Sequence, residues 1–407
     1  MDYSLIFDTA VEIGYQLAMH GAETYRIEES INRITAAYGA KAEVFAIPNS
    51  MTATVLTPDG ETITRLRRIG FHGNDMDTVE LYSNLSRRIC AEKPEPKVAA
   101  QWLKEAAARK RSYKLPIILL GNMLGSFGFC LFFGGTIFDS LVSALCGLAI
   151  GSINYFSAKL HINSFFATMV SAFAMAFVAY LFGSLGINAD VAIIGSIMIL
   201  VPGLLFTNAI RDIIFGDINS GVNRLVQVIL FAVAIGLGTG VASSVSFMLV
   251  GAQPTIQAIN YGPIFQCIAT AIGCAGFCIL YNIHGHGQLI CILGGLLSWA
   301  VYLFADFLLP GTISGYLFAS IFVAAYSEVM ARVRHFPAIT YLVIAIFPLL
   351  PGAGIYYTTS YLALNQASNA MEKCTETISV AGLLAIGILM VSSIVRGTTV
   401  WRQMRHK

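Results

Sequence analysis

Thr207 and Asn208 stand just beyond a Pro202-Gly203 pair. Tyr356, Tyr357, Thr358 and Thr359 stand just beyond Pro351-Gly352, with Pro348 three residues ahead of it. Hydroxyl, amide and phenol groups of this kind can donate and accept hydrogen bonds to a small polar solute. Each cluster follows a break in a long apolar run. Pro202 removes the amide that would bond the Met198 carbonyl, and Pro348 and Pro351 do the same to the carbonyls of Ile344 and Phe347. In an apolar surrounding such breaks survive only where protein, water or solute supplies partners. The two Pro-Gly pairs lie 149 positions apart, and broken helices at matching places in two halves of a membrane chain point to a solute site. The expected pathway residues are therefore Pro202, Gly203, Thr207, Asn208, Pro348, Pro351, Gly352, Tyr356 and Tyr357.

Other polar residues in apolar segments carry weaker signals. Asn122 and Asn154 either line the same pathway or join helices. Glu328 could carry a coupling proton if burial raised its pKa, although a plain intrahelical pair with Arg332, four residues on at a helix end, explains the arrangement too. Asp139, Asp190 and Asp306 read as solvated residues at segment ends. Cys274 and Cys278 share a helical face, but no His or acidic residue completes a metal set, and His284-Gly285-His286 reads as a loop. No metal and no cofactor is expected.

The elements that must position these groups are membrane helices. The chain has 407 residues, 56% of them hydrophobic and only 12% charged, with a mean hydropathy of +0.70. That composition excludes an ordinary soluble domain. A net charge of +2, without basic runs interleaved with aromatics, gives no reason to expect nucleic acid as a partner. Ten apolar segments follow Leu115, the fourth at about 190–210 and the ninth at about 338–357, each near the roughly 20 residues a span requires. Met1 to Asp8 lack a basic start and a cleavage site, so the N-terminus is expected to stay inside. Arg109, Lys110, Arg111, Lys114, Lys159, Arg211, Arg224, Arg332, Arg334, Arg396, Arg402, Arg405 and Lys407 then fall on the inner side and Lys373 on the outer, as the positive-inside rule asks.

A faint repeat runs through these segments. The offset of 149 pairs Gly238 with Gly387 and Ser243-Ser244 with Ser392-Ser393, and an offset of 148 pairs Gly128-Phe129-Cys130 with Gly276-Phe277-Cys278. Five spans per half is an odd number, so the second half must enter the membrane inverted. The expected fold is a polytopic α-helical membrane protein: about ten transmembrane helices in two inverted five-helix repeats, residues 112–250 and 251–407, behind an N-terminal α/β cytoplasmic domain, residues 1–111. In that domain an amphipathic helix pair meets near Gly21. Strand runs follow at 44–47, 51–56 and 61–66, with Pro58-Asp59-Gly60 as a turn, and helical periodicity returns from Met76. A helix opening at Pro94-Glu95-Pro96 places Val98, Trp102 and Ala106 on one face, as for a segment lying on the membrane surface.

Met19-His20-Gly21-Ala22-Glu23-Thr24-Tyr25-Arg26-Ile27-Glu28-Glu29, then Ala37-Tyr38-Gly39 and the strand-rich stretch to Arg65, resemble the N-terminal domain of the threonine/serine exporter (ThrE) family. The short motif is Gly21, Ala22, Glu23, Arg26 and Glu28, and the resemblance covers nearly the whole chain, here with both membrane blocks fused. It implies a multi-pass protein of a bacterial cytoplasmic (inner) membrane, with both termini cytoplasmic. It also implies export of small polar metabolites, threonine and serine in the founding type, driven by the proton motive force through alternating access. Split relatives point to a dicarboxylate of the succinate type as the alternative. Expected partners are the solute, protons and the lipid bilayer, and association of copies is left open. A membrane-bound hydrolase or sensor acting through residues 1–111 is the competing class. That region has neither a Gly-x-Ser-x-Gly elbow nor a His-Glu-x-x-His pair, so no enzyme is expected.

Overall fold

The computed structural model describes residues 1–70, 73–251, 256–311, 313–363 and 366–405. The side chains of Arg396, Arg402, Arg405 and Lys407, which entered the charge comparison, lie outside the described set. The chain divides into two units. One comprises residues 1–113 together with 281–284 and 330–340, and the other holds the remainder.

In the first unit α1 (Tyr3–Met19) and α2 (Thr24–Ala37) form the amphipathic pair. Asp2 caps α1 by accepting from the Leu5 amide at 2.9 Å. Strands β1 (Lys41–Ile47), β2 (Ser50–Leu56) and β3 (Thr62–Arg68) form an antiparallel meander, in a register that opposes Phe45, Thr52 and Leu66. The turn before β3 places Gly60 at φ +83°, a left-handed conformation that glycine adopts without strain. Helices α3 (Met76–Glu92) and α4 (Pro96–Ala108) close the unit over a core that includes Phe7, Ile13, Leu17, Ile31, Val79, Tyr82 and Ile89. The α4 face expected on a membrane surface is partly used inside the unit. Ala99 and Ala106 are buried, and the Arg88 guanidinium lies 3.7 Å from the centre of the Trp102 ring.

The second unit is helical: α5 (Leu115–Phe132), α6 (Ile137–Lys159), α7 (Ser164–Gly183), α8 (Ala189–Ile197), α9 (Gly203–Phe215) and α10 (Ile218–Val250), then α11 (Pro263–Leu280), α12 (His286–Leu308), α13 (Ser314–Arg334), α14 (Ala338–Ala345), a 3₁₀ turn (Phe347–Leu349), α15 (Gly352–Ala363) and α16 (Ala367–Arg405). The last turns of α13 and the first of α14 lie in the first unit. Among the described residues eight helices are long and apolar enough to span a membrane, and a ninth span results if α14 and α15, bent by 43° at their break, count as one. The expected fourth span is two short helices. The nine residues of α8 and the thirteen of α9 are separated at 198–202, and neither reaches membrane thickness alone. The cause is Pro202, which cannot donate the amide that would continue α8.

Packing follows the repeat offsets. A Cβ built on Gly128 would lie 2.6 Å from the Cα of Gly273, and one built on Gly276 would lie 2.7 Å from the Cα of Gly125. The offset of 148 carries Gly125 to Gly273 and Gly128 to Gly276, so α5 and α11 meet through an exchanged pair of contacts. Glycine is required there because the two backbones touch. Phe129 and its equivalent Phe277 pack edge to face at 5.5 Å. Gly238 on α10 abuts Ala172 and Phe173 of α7, while Gly387 on α16 abuts Ser320 and Ile321 of α13, positions related by offsets of 149 and 148.

Candidate functional site

The two helix breaks lie against each other. Gly203, first residue of α9, packs on Leu350, where an added Cβ would fall 3.1 Å from the Leu350 Cβ. Gly352, first residue of α15, packs on Met198 and Val201, with an added Cβ 2.8 Å from the Met198 Sδ and 3.5 Å from the Val201 Cγ1. An offset of 149 carries Val201 to Leu350 and Gly203 to Gly352. These contacts therefore exchange in the same way as those of α5 and α11. The meeting point itself is apolar, made by Met198, Val201 and Leu350.

On α9, Thr207 is 1% exposed and its Oγ1 has no hydrogen-bond partner. Asn208 is half-buried. One helical turn further, Arg211 and Asp212 are both buried. Asp212 Oδ1 lies 3.9 Å from the Arg211 Nη2, and Oδ2 lies 3.1 Å from the Nε of Arg224 on α10. Sequence reading counted Arg211 and Arg224 only as loop charges and did not use Asp212. Their spacing from Thr207 and from one another was the available signal.

On α15, Tyr356 is buried and Tyr357 half-buried, with ring centres 5.6 Å apart, and Tyr357 continues to Tyr361 at 6.2 Å. Asp190 stands in the first turn of α8 and is exposed, in keeping with its reading as a solvated segment-end residue. Thr358 and Thr359 donate to carbonyls of their own helix, at 2.8 Å to Gly354 and 2.9 Å to Tyr356. Pro348 is buried in the 3₁₀ turn.

The remaining candidates have the following surroundings. Asn122 donates to the Ile118 carbonyl at 2.8 Å and fills the space beside Gly151 of α6. Asn154 accepts from Ser171 at 3.2 Å, joining α6 to α7. Glu328 is half-buried on α13. Among the described residues no three His, Cys, Asp or Glu groups are arranged to hold a metal ion.

The motif residues of the first unit form a structural junction. Gly21 has φ +95° and admits the Gly73 carbonyl, which an added Cβ would meet at 2.9 Å. Ala22 is buried, and Glu23 stands at the N-terminus of α2 with Arg26 3.9 Å from its carboxylate. Glu28 accepts from the Ala46 amide at 3.0 Å, tying α2 to the end of β1.

Nearby, residues 281–284 are woven into α3. The Met76 amide donates to the Tyr281 carbonyl at 3.0 Å, and the Asn282 amide group donates to Asp75 at 2.8 Å and to the Arg111 carbonyl at 2.7 Å. His284 bonds Asn282 at 2.9 Å and stacks on Tyr113. Arg87 likewise donates to the His335 carbonyl at 2.6 Å. Burial pushes the Glu80 carboxyl up to about 7. Asp77 acts in the same direction, and the guanidinium groups of Arg334, Arg87 and Arg111 oppose it.

Comparison with known proteins adds to this geometry. The ThrE family model, for threonine/serine exporters, matches residues 8–246, and a second model, Threonine/Serine exporter, ThrE, matches residues 266–394. The chain is similar to a threonine/serine exporter of Corynebacterium glutamicum, 25% identical over 96% of this chain and 82% of that protein. It is also similar to a probable succinate transporter subunit, YjjP, of Escherichia coli K12, 22% identical over 58% of this chain and 92% of the relative. No solved structure matches.

Proposed function

The chain belongs to the threonine/serine exporter family, and on that footing we propose that it is a secondary transporter that exports threonine, serine or close relatives by alternating access. The observation that carries the proposal is the exchanged contact of the two breaks, Gly203 on Leu350 and Gly352 on Val201. In this reading residues 112–250 and 251–407 are two inverted repeats of five spans each, with α8–α9 and α14–α15 as the broken fourth span of each half. Swapping the conformations of two such halves turns a site open to one side into a site open to the other. Thr207, Asn208, Tyr356 and Tyr357 then flank the path on either side of the apolar meeting point. Asn122 and Asn154 hold the surrounding helices, and Glu328 is the candidate for proton coupling. The exchanged glycine contacts of α5 with α11 support the same symmetry.

In the proposed topology the protein sits in a bacterial cytoplasmic membrane with both termini inside, and residues 1–111 form a cytoplasmic domain. Export driven by the proton motive force is the expected energetics. A dicarboxylate is the second reading, favoured by the similarity to a relative named as a succinate transporter subunit.

The test is flux of labelled serine, threonine and succinate in proteoliposomes, with and without a pH gradient, for the wild type and a P202A/P351A variant. Saturable serine or threonine flux, accelerated by the gradient and lost in the variant, is expected. Succinate flux alone would transfer the conclusion to the second reading, and absence of flux for all three would refute both.

A further inference from the structure

We propose that Thr207, Arg211 and Asp212 on α9, backed by Arg224 of α10, form the recognition site for a zwitterionic hydroxy-amino acid. Arg211 takes the carboxylate, Asp212 the ammonium group and Thr207 the hydroxyl. The proposal rests on the exporter reading above and specifies which chemical groups of the solute are read.

Three observations carry it. First, Arg211 and Asp212 are buried within a largely apolar helical unit, where ionised groups are costly and are functional by default. Their geometry is uneven, with Arg224 close to Asp212 at 3.1 Å and Arg211 farther at 3.9 Å. Arg224 thus fixes the carboxylate, while the wider Arg211–Asp212 pair has the two opposite charges that a zwitterion matches.

Second, Thr207 differs from four other threonines of the same unit, although the buried hydroxyls of Ser126, Ser220, Ser246 and Ser327 share its lack of a partner. Thr239, Thr270, Thr358 and Thr377 each donate to the carbonyl four residues back. The Thr207 Oγ1, equally enclosed, has no partner. A buried hydroxyl without a partner costs about 1–3 kcal/mol, a cost that a bound hydroxyl would remove. Thr207 and Arg211 are four residues apart on one helix, which brings their side chains to roughly 5–6 Å at Cβ, the scale of a three- or four-carbon amino acid.

Third, the repeat does not reproduce the cluster. The offset of 149 carries Thr207, Arg211 and Asp212 to Tyr356, Ser360 and Tyr361, all of them hydroxyl side chains, and carries Arg224 to Lys373, which pairs with Glu376 at 2.7 Å on an exposed stretch. The halves share the broken backbone, but only the first holds buried charge at these positions, so one recognition site is assigned rather than two. A dicarboxylate would bring a second negative group against Asp212 and is disfavoured.

The test is equilibrium binding of labelled L-serine to the full-length protein in detergent. Competitors are L-alanine, 3-hydroxypropionate and ethanolamine, which lack in turn the hydroxyl, the ammonium and the carboxylate, and succinate, which lacks both hydroxyl and ammonium and adds a second carboxylate. For the wild type, serine is expected to outcompete each by roughly tenfold or more. T207V should erase the preference over alanine, and D212N should lower serine to the level of 3-hydroxypropionate. Monodisperse T207V and D212N proteins that keep every wild-type ratio, or lose affinity for all competitors equally, would overturn the proposal. Should D212N fail to fold, T207V, nearly isosteric, decides alone. Wild-type binding of serine with unchanged ratios in the variants would sink this site and leave the exporter reading standing. A wild type that binds neither serine nor threonine would sink both.

Discussion

Glu80→Gln should stabilise the first unit in a pH-dependent way. In an unfolded chain the Glu80 carboxyl titrates near 4.5, and in the folded unit burial raises it to about 7. Between those values the folded state holds the proton more tightly, so its contribution to stability is full below about 4.5. That contribution declines as pH rises and is lost above about 7. At about 1.36 kcal/mol per tenfold change the full gap is worth roughly 3.4 kcal/mol. Glu80 is only partly buried, and discounting for solvent screening leaves about 1.5 kcal/mol. Gln keeps the shape and removes the charge. At pH 8 the variant should therefore exchange its α3 amide hydrogens about tenfold more slowly than wild type wherever exchange requires opening of the unit, and at pH 4.5 the two should match. Comparing the proteins at each pH cancels the intrinsic exchange rate, while Asp77, whose carboxyl burial also raises and which is coupled to Glu80, forms part of the difference read. Equal protection at pH 8, or a difference that persists unchanged at pH 4.5, would refute the reasoning.

Two other substitutions test the packing. G128L and G276L should damage the protein to the same degree, each forcing α5 from α11 where backbone meets backbone, at about 1–3 kcal/mol or more. Thermal unfolding of the two variants side by side checks this, and unequal loss would contradict the exchanged contact. Asn282 has φ +53°, so N282G keeps the backbone comfortable while deleting the bonds to Asp75 and Arg111. It should cost about 1–3 kcal/mol, and N282A more, by the left-handed penalty of roughly 1–2 kcal/mol, in hydrogen-exchange protection of the amides around Asp75.

Much of this was legible from the residues. Pro202 and Pro351 announced the breaks because proline has no amide to give, and Pro58-Asp59-Gly60 announced the turn because Gly60 needs a positive φ. The glycines of the repeat were visible, although nothing in one chain said that Gly128 would face Gly273. Two features escaped. Arg211 and Asp212 at the end of the expected fourth span read as loop, since hydropathy averages charge without registering the burial that pairing permits. Asn282 looked like any short connection, because its partners, Asp75 and Arg111, lie some two hundred residues away in the chain.

That last connection sets an order of events. The N-terminal unit is the first part of the chain to leave the ribosome, yet it contains residues 281–284 and 330–340. At typical synthesis rates residue 340 emerges roughly 10 to 45 seconds after residue 113. Asp75 and the Met76 amide wait for Asn282 and Tyr281, and Arg87 waits for the His335 carbonyl, while most of the helices are being inserted. The part made first is therefore the part completed late.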